Sequence, residues 1–402
     1  MAGLELLAEE IDGRLHVAVM RKGVLDDLYL DRRKTVAGWA SFYLGKVTKI
    51  DPKLDAAFVD IGGGVTGFLQ AKHVTFAGSD ASDARTGIAE LLKTGQMVMV
   101  QVKSEAKKAS EHEHHKLPRL TMKLYVMGQF LIYSPLSSQV TISRKIVNDE
   151  ILAITSKLKG TGGWILPANA DTAKEEDIQF EAKKLLSKWD VIQGSKEALG
   201  STPGLLREGP DALTRALNDY GIHAFEHIYV ADKKLLQKAM DWSERHYPAL
   251  ADSKRLRLFK AEKPGQTLFD AHDAHSGMDT LQDARVHLSC GGSIIIEPTQ
   301  AIVVIDVNQG SAANISVANQ EAAFETARQS RLRNLSGAIL VDFINMAQKS
   351  ERFRLMETLE NLYAGDSASA QVHGFTRLGI IEITRKRRTA TRAEKMADNA
   401  NE

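Results

Sequence analysis

Two aspartates and one asparagine stand where side chains of their type could hold a divalent cation. Asp306 closes the apolar run AIVVI, and Asp342 closes the apolar run AILV. A charged group at the end of a buried strand is costly unless something pairs with it. Strand C-termini in open α/β sheets are also where ligands gather. Asn308 follows Asp306 by two residues, so the two side chains share a face if the strand continues. Two carboxylates and an amide oxygen are hard donors that suit Mg²⁺ with several waters retained, with Mn²⁺ as the alternative. Such a metal orients a water for in-line attack on a phosphodiester and stabilises charge on the leaving oxygen. Helix capping or a salt bridge would use the same residues, and the spacing leaves both readings open.

Downstream, TRLGIIEITRKRR gathers Arg377, Arg385, Lys386, Arg387 and Arg388 near one strand. Arg377 could neutralise a phosphate by paired hydrogen bonds. The run containing Arg385 and Arg387 could track a polyanionic backbone, or it could be a solvated edge whose charges block aggregation. Upstream, Phe58 and Phe68 fall in the runs AAFVD and GFL, and Lys116 lies in the polar stretch SEAKKASEHEHHKLPR. Small barrels bind single strands by stacking bases on aromatics beside positive charge, although Phe is also among the most buried residue types. His112, His114 and His115 in that stretch match no zinc framework and read as a solvated loop.

The elements that must position these residues follow from periodicity. Residues 13–30 read as strand, turn, strand. Residues 39–74 are short alternating runs broken at Asp51-Pro52 and at Gly62-Gly63-Gly64. That pattern predicts a small antiparallel barrel with GQMVMVQVKSE as its final strand. Strands resume from 124, and helical periods cover about 148–158, 173–196, 210–218 and 232–247, with GIHAFEHIYVA a strand between the last two. Residues 249–285 are irregular apart from a short helix near 276–284. Then GGSIIIEPTQAIVVIDVNQ gives two strands around Pro298, and helices over 318–334 and 350–363 alternate with the strands AILVDFINM and RLGIIEITRKRR. Strands alternating with helices predict an α/β domain. The tail after Arg392 reads as polar and loose.

The totals bound these readings. At 402 residues the chain is too long for one ordinary core. A net charge of +1 excludes a uniformly cationic coat, so a polyanion must be held by local patches. The first dozen residues carry four acids, and no apolar run approaches a membrane span, so a soluble, cytoplasmic protein is expected. The single Cys290 forms neither an internal disulfide nor a multi-thiolate zinc site, and reads as a small buried residue beside Gly291 and Gly292.

Four stretches, in order, resemble one family, ribonuclease E/G. FYLGKVTKIDPKLDAAFVDIGGGVTGFL is similar to its S1-type OB-fold. GGSIIIEPTQAIVVIDVN, RQSRLRNLSGAILVDFINM and GFTRLGIIEITRKRR are similar to its catalytic region. The resemblance implies an α/β multidomain fold. An RNase H-like subdomain is split between 1–37 and 215–280. An S1-type OB-fold barrel (38–119) and a 5′-sensor-like subdomain (120–214) are inserted in it. A DNase I-like catalytic domain (281–392) and a flexible tail (393–402) follow. It further implies a magnesium site at Asp306, Asn308 and Asp342, with Arg377 near the scissile phosphate. Phe58, Phe68 and Lys116 would grip RNA. The implied reaction hydrolyses single-stranded, AU-rich RNA to 5′-phosphate and 3′-hydroxyl ends, in RNA decay or rRNA and tRNA processing.

The chain departs from the family pattern in three places. The family reads a 5′-monophosphate with a Gly and a Val on one strand and an Arg-Thr pair on another. Gly128 and Ile132 suit the first part, whereas GWILPANA puts Pro167 and Ala168 where Arg and Thr would stand. Pro has no side-chain donor and Ala no hydroxyl, so 5′-end sensing is expected to be lost unless a displaced Arg such as Arg144 replaces it; Arg144 and Lys145 are expected among the RNA-binding residues. The Cys-x-x-Cys zinc-link and the small domain are missing, so no structural zinc is expected. A monomer or metal-free homodimer is expected rather than a zinc-linked tetramer. Finally, QGSAANISVANQ lacks the family's longer Gly-rich loop. The rival reading is an RNA-binding protein of the same fold that no longer cuts, and a DNA-directed nuclease is the weaker third.

Overall fold

The computed structural model describes residues 3–32, 37–76, 86–107, 116–158, 162–221, 224–246 and 254–397. The histidines at 112, 114 and 115 lie outside these residues. The chain divides into two compact units. One comprises Met1–Arg32, Phe225–Leu235 and Arg257–Glu402, and the other Arg33–Ala224 with Leu236–Leu256.

The first unit begins with an antiparallel meander, β1 (Leu4–Ile11), β2 (Arg14–Arg21) and β3 (Val24–Leu30). Its two-residue turns, Asp12-Gly13 and Lys22-Gly23, have positive φ at both positions. This is the left-handed turn whose twist matches that of the strands it joins. The sequence reading covered β2 and β3 but not β1. Leu6, Leu7 and Ala8 are all buried, so no alternation marks that strand.

The second unit holds the barrel: β4 (Phe42–Asp51), β5 (Ala56–Asp60), β6 (Thr66–Gln70), β7 (Met97–Ser104) and β8 (Arg119–Thr121). The order is β4-β5-β6-β8-β7, and β7 pairs back onto β4, closing five strands. Val47, Val59, Leu69, Val100 and Leu120 fill it. The expectation that β7 is the final strand is corrected, because β8 inserts between β6 and β7, parallel to β6. Three residues are too few to show a period.

Next comes a four-stranded sheet of β9 (Val126–Met127), β10 (Ile132–Ser134), β11 (Val140–Ile142) and β12 (Gly163–Leu166), ordered β11-β12-β10-β9. The helices Asp149–Leu158 and Glu175–Leu199 share its core, with Trp164, Leu166, Ile151, Ile178 and Leu185 buried together. β13 (Gly204–Arg207) returns to β4, and the helix Ala212–Tyr220 follows.

The chain then rejoins its first sheet. β14 (Phe225–Val230) lies parallel to β1, and β15 (Leu256–Leu258) completes the order β15-β14-β1-β2-β3. The remaining strands form a six-stranded sheet: β16 (Arg285–His287), β17 (Ser293–Pro298), β18 (Ile302–Asn308), β19 (Gly337–Asp342), β20 (Gln371–Phe375) and β21 (Ile381–Arg385). Its order is β16-β17-β18-β19-β21-β20, with β18 and β19 parallel. The helices Ile315–Leu332 and Lys349–Tyr363 bury one face. Ile294, Ile305, Val307, Ile339, Val341, Ile381 and Ile383 point inward against Ala323, Ala327, Leu355 and Leu359. Alternate strand residues point away from these helices, and that face carries the candidate site.

The tail is also corrected. Residues Arg392–Ala397 form a helix with Lys395 buried, its ammonium donating to the Leu30 carbonyl at 2.5 Å. Among the described residues no helix is long and apolar enough to cross a membrane.

Candidate metal centre and nucleic-acid surface

Asp306 and Asp342 are direct register partners across the parallel pair β18–β19. Such partners stand on the same face of the sheet, on strands roughly 4.8 Å apart. β18 continues to Asn308, so that side chain shares the face, and its Nδ2 donates to Asp306 Oδ2 at 2.7 Å. The expected trio is therefore brought together. The reason first given for it fails, however: both aspartates are exposed, out of phase with buried Ile305, Val307 and Val341. Neither is buried, and among the described residues neither has a cationic partner. Two adjacent carboxylates attract a cation, and the all-oxygen donor set fits Mg²⁺ or Mn²⁺ better than zinc. Among the described residues no group of three or more His, Cys, Asp or Glu side chains could hold a metal ion, so the candidate site consists of the two aspartates with Asn308.

Arg377 sits at the tip of the β20–β21 hairpin, which is closed by the bonds Thr376 N to Ile380 O and Gly379 N to Thr376 O. Because Val341 pairs with Ile381, this tip lies at the end of the sheet that carries Asp342. The Arg377 side chain is exposed. The basic run beyond it is a correction. Arg385 is buried, in phase with Ile381 and Ile383, and its Nε donates to both oxygens of buried Asp366 at 3.1 and 3.0 Å. Arg387 pairs with Glu394 at 2.9 Å, and Arg388 donates to the Ser367 carbonyl. Of the four cations at 385–388, only Lys386 is fully exposed.

The short loop after Asn308 packs onto the turn before β17. Gly310, at φ +55, has the Gly291 carbonyl only 2.3 Å from where a Cβ would sit, and Ser311 N donates to that carbonyl at 3.1 Å. Cys290, expected to be buried, is half-exposed. Desolvation and neighbouring Glu321 hold its thiol above the ordinary range, which argues against a reactive thiolate.

On the barrel, Phe58 and Phe68 are register partners of β5 and β6, half-exposed, with ring centroids 5.8 Å apart at 70°. Neither is core. Lys49 holds its ammonium 5.5 Å from the Phe58 centroid. Arg119 on β8 is the register partner of Phe68 and is exposed. Lys116, also exposed, is bonded to Lys107 by both backbone groups. The sequence reading missed Lys103 and His73, whose Nζ and Nε2 lie 2.8 Å apart, and the neighbouring Lys72 and Lys123.

The residues expected to meet a 5′ end lie in the four-stranded sheet (Ile132) and just beyond its strand ends (Gly128, Pro167 and Ala168). Glu181, missed in the sequence, is buried and accepts the backbone N–H groups of Gln129, Phe130 and Leu131 at 2.5, 2.7 and 2.8 Å. Burial pushes its carboxyl up, against the pull of those three amides. Gly128 is required because a Cβ there would come within 2.5 Å of that carboxyl group. Ile132 is half-buried on β10. Pro167 is extended and starts the turn Ala168–Thr172, and Asn169 Nδ2 donates to the Gln129 carbonyl at 2.7 Å. Exposed Arg144 and Lys145 follow Ser143, whose amide bonds the Leu166 carbonyl at 2.9 Å. A periodic reading had a signal for Glu181, an acid on the apolar stripe Ile178, Ala182, Leu185.

Comparison with known proteins matches this architecture. The model of the ribonuclease E/G family matches residues 126–388, and that of the S1 RNA binding domain matches 41–112. The chain therefore belongs to the ribonuclease E/G family, a family of endoribonucleases. It is 29% identical to Ribonuclease G of Haemophilus influenzae, covering 96% of this chain and 80% of that protein. To Ribonuclease G of Escherichia coli it is 28% identical, with 95% and 80% covered. To Ribonuclease E of Synechocystis it is 32% identical, with 92% of this chain and 55% of that protein covered.

Proposed function

We propose that the chain is a magnesium-dependent endoribonuclease. It cuts single-stranded, AU-rich RNA to 5′-phosphate and 3′-hydroxyl ends, in RNA decay or rRNA and tRNA processing, without reading a 5′-monophosphate. The observation that carries the reading is the pair of register-matched, exposed carboxylates on one sheet face. Asp306 and Asp342 would hold Mg²⁺, whose bound water is a nucleophile and whose charge offsets the leaving oxygen. Asn308 holds Asp306 in place through its amide nitrogen. Arg377 supplies an exposed guanidinium for the phosphate. Phe58 and Phe68 stack bases, with Lys116 and the neighbouring cations along the backbone. The loss of 5′ sensing is supported by Pro167 and Ala168, which offer no charge-assisted donor. The strand order β3-β2-β1-β14-β15 supports an RNase H-like subdomain interrupted by the barrel and the four-stranded sheet. The helix-backed six-stranded sheet supports a DNase I-like catalytic domain.

The test incubates the protein, Asp306→Asn and Asp342→Asn with end-labelled AU-rich RNA, in magnesium and in EDTA. Internal cuts that need magnesium and fall at least about a thousandfold in each variant, roughly 4 kcal/mol of transition-state stabilisation, are expected. Tight binding without cleavage by the unmodified protein would show that the fold is kept for RNA binding alone. Substrates with 5′-hydroxyl, monophosphate and triphosphate ends should be cut at similar rates, and a strong monophosphate preference would refute the lost sensor.

A further inference from the structure

His73 ends the short turn Ala71–His73 after β6 and sits among cations from every segment packed on it. Lys72 comes from its own turn, Lys103 from β7, Arg119 from β8, and Lys123 from the turn after β8, whose Met122 N–H donates to the His73 carbonyl at 2.8 Å. With Lys103 Nζ at 2.8 Å from Nε2, the ammonium must donate and the ring must accept, so the imidazole is neutral and carries its proton on Nδ1. Arg119 is the partner of Phe68, so this corner adjoins the aromatic pair. A phosphate of a strand stacked on Phe68 would meet first Arg119, the cation paired in register with that ring. Resting on the proposed reading of an RNA-binding barrel, we propose that Lys103, Arg119 and His73 form a subsite for one internucleotide phosphate, and that filling it draws a proton from solvent onto His73.

The physical case is electrostatic. In the free protein, burial and the four surrounding cations hold the His73 ring down to about 4. A bound phosphate cancels those charges and offers Nε2 an acceptor, so the ring returns toward its ordinary range. The free ring is neutral at pH 6 and the occupied ring takes up a proton there. Affinity therefore rises as pH falls through the occupied-state value and levels off below about 4. One coupled proton gives at most a tenfold gain per pH unit.

The experiment measures binding of a fluorescent single-stranded RNA to the full chain in EDTA, from pH 7.5 to pH 5.0 at fixed ionic strength, and against salt at pH 7. The expected result is roughly a tenfold tightening between about pH 7 and about pH 5.5. In His73→Gln, which keeps an acceptor for Lys103, that gain falls away, so the variant binds with the same affinity at about pH 5.5 as at about pH 7. Lys103→Gln and Arg119→Gln each weaken binding at every pH and reduce the salt slope by about 0.7. The inference is overturned if His73→Gln tightens with acid as the unmodified protein does, or if the two cation variants keep the full salt slope. Absence of RNA binding by the unmodified protein would overturn the proposed function itself, an outcome distinct from bound RNA with unaltered pH and salt dependence.

Discussion

Arg385 offers a sharp test, because a reading from charge and a reading from the fold predict opposite things. Its guanidinium is 5% exposed and its partner Asp366 is 1% exposed. Nη1 also donates to Asn334 Oδ1 at 3.1 Å and to the Leu335 carbonyl at 2.8 Å. Arg385→Gln leaves a buried carboxylate without its cation and two acceptors without donors. Breaking a buried pair from one side costs about 3–5 kcal/mol. With an m-value near 2–3 kcal/mol/M, the urea midpoint of the unit holding the six-stranded sheet should fall by about 1–2 M. RNA affinity, measured in the absence of urea, should keep its salt slope, since this guanidinium does not reach solvent. Arg385→Met combined with Asp366→Asn should recover about half the loss, because Asn keeps an acceptor for the Ala368 N–H that bonds Asp366 at 2.9 Å. An unmoved midpoint together with a salt slope lowered by about 0.7 would refute the reasoning and return Arg385 to the RNA.

Phe58→Ala and Phe68→Ala should each weaken single-stranded RNA binding by about 1–3 kcal/mol with little change in the barrel's melting, since both rings are half-exposed; a filter-binding series and a thermal melt decide it, and lost stability with kept affinity would make them packing residues. Gly128→Ala should destabilise the four-stranded sheet more than an ordinary glycine substitution, by about 2–3 kcal/mol, because its Cβ meets the Glu181 carboxyl. Chemical denaturation measures this, and a neutral result would mean that Glu181 moves aside freely.

What the sequence made legible depended on how local its cause was. The helix over 350–363 was read within a residue of Lys349–Tyr363, and that over 318–334 within three residues of Ile315–Leu332, because a 3.6-residue period is written in each segment. The start of the second lies three residues before its expected place, because Asn314 caps it by accepting the Val317 N–H. Asp306, Asn308 and Asp342 came together as expected, since strand phase and parallel pairing suffice to align them. Phase also gave the sign of Arg385, which shares the parity of Ile381 and Ile383, but its charge drew it outward in the sequence reading. The His73–Lys103 contact spans 30 residues and exists only because the barrel closes, so no local pattern announces it. Lys395, polar in a polar tail, is buried because a distant carbonyl, Leu30, awaits its ammonium.

The parallel pairing of β1 with β14 sets a schedule for the newborn chain. Leu4 meets Phe225 only after some two hundred intervening residues have been made. At about 5–20 residues per second, the β1–β3 meander waits roughly 10–45 s on the ribosome with one edge unpaired. During that interval the barrel, whose strands lie between the two partners in sequence, has time to close first. The apolar edge LELLA is meanwhile open to strands of neighbouring nascent chains. Slow translation through 33–224 would lengthen that exposure, so the yield of native protein should depend on codon usage in the inserted segment more than on that in the strands which finally pair.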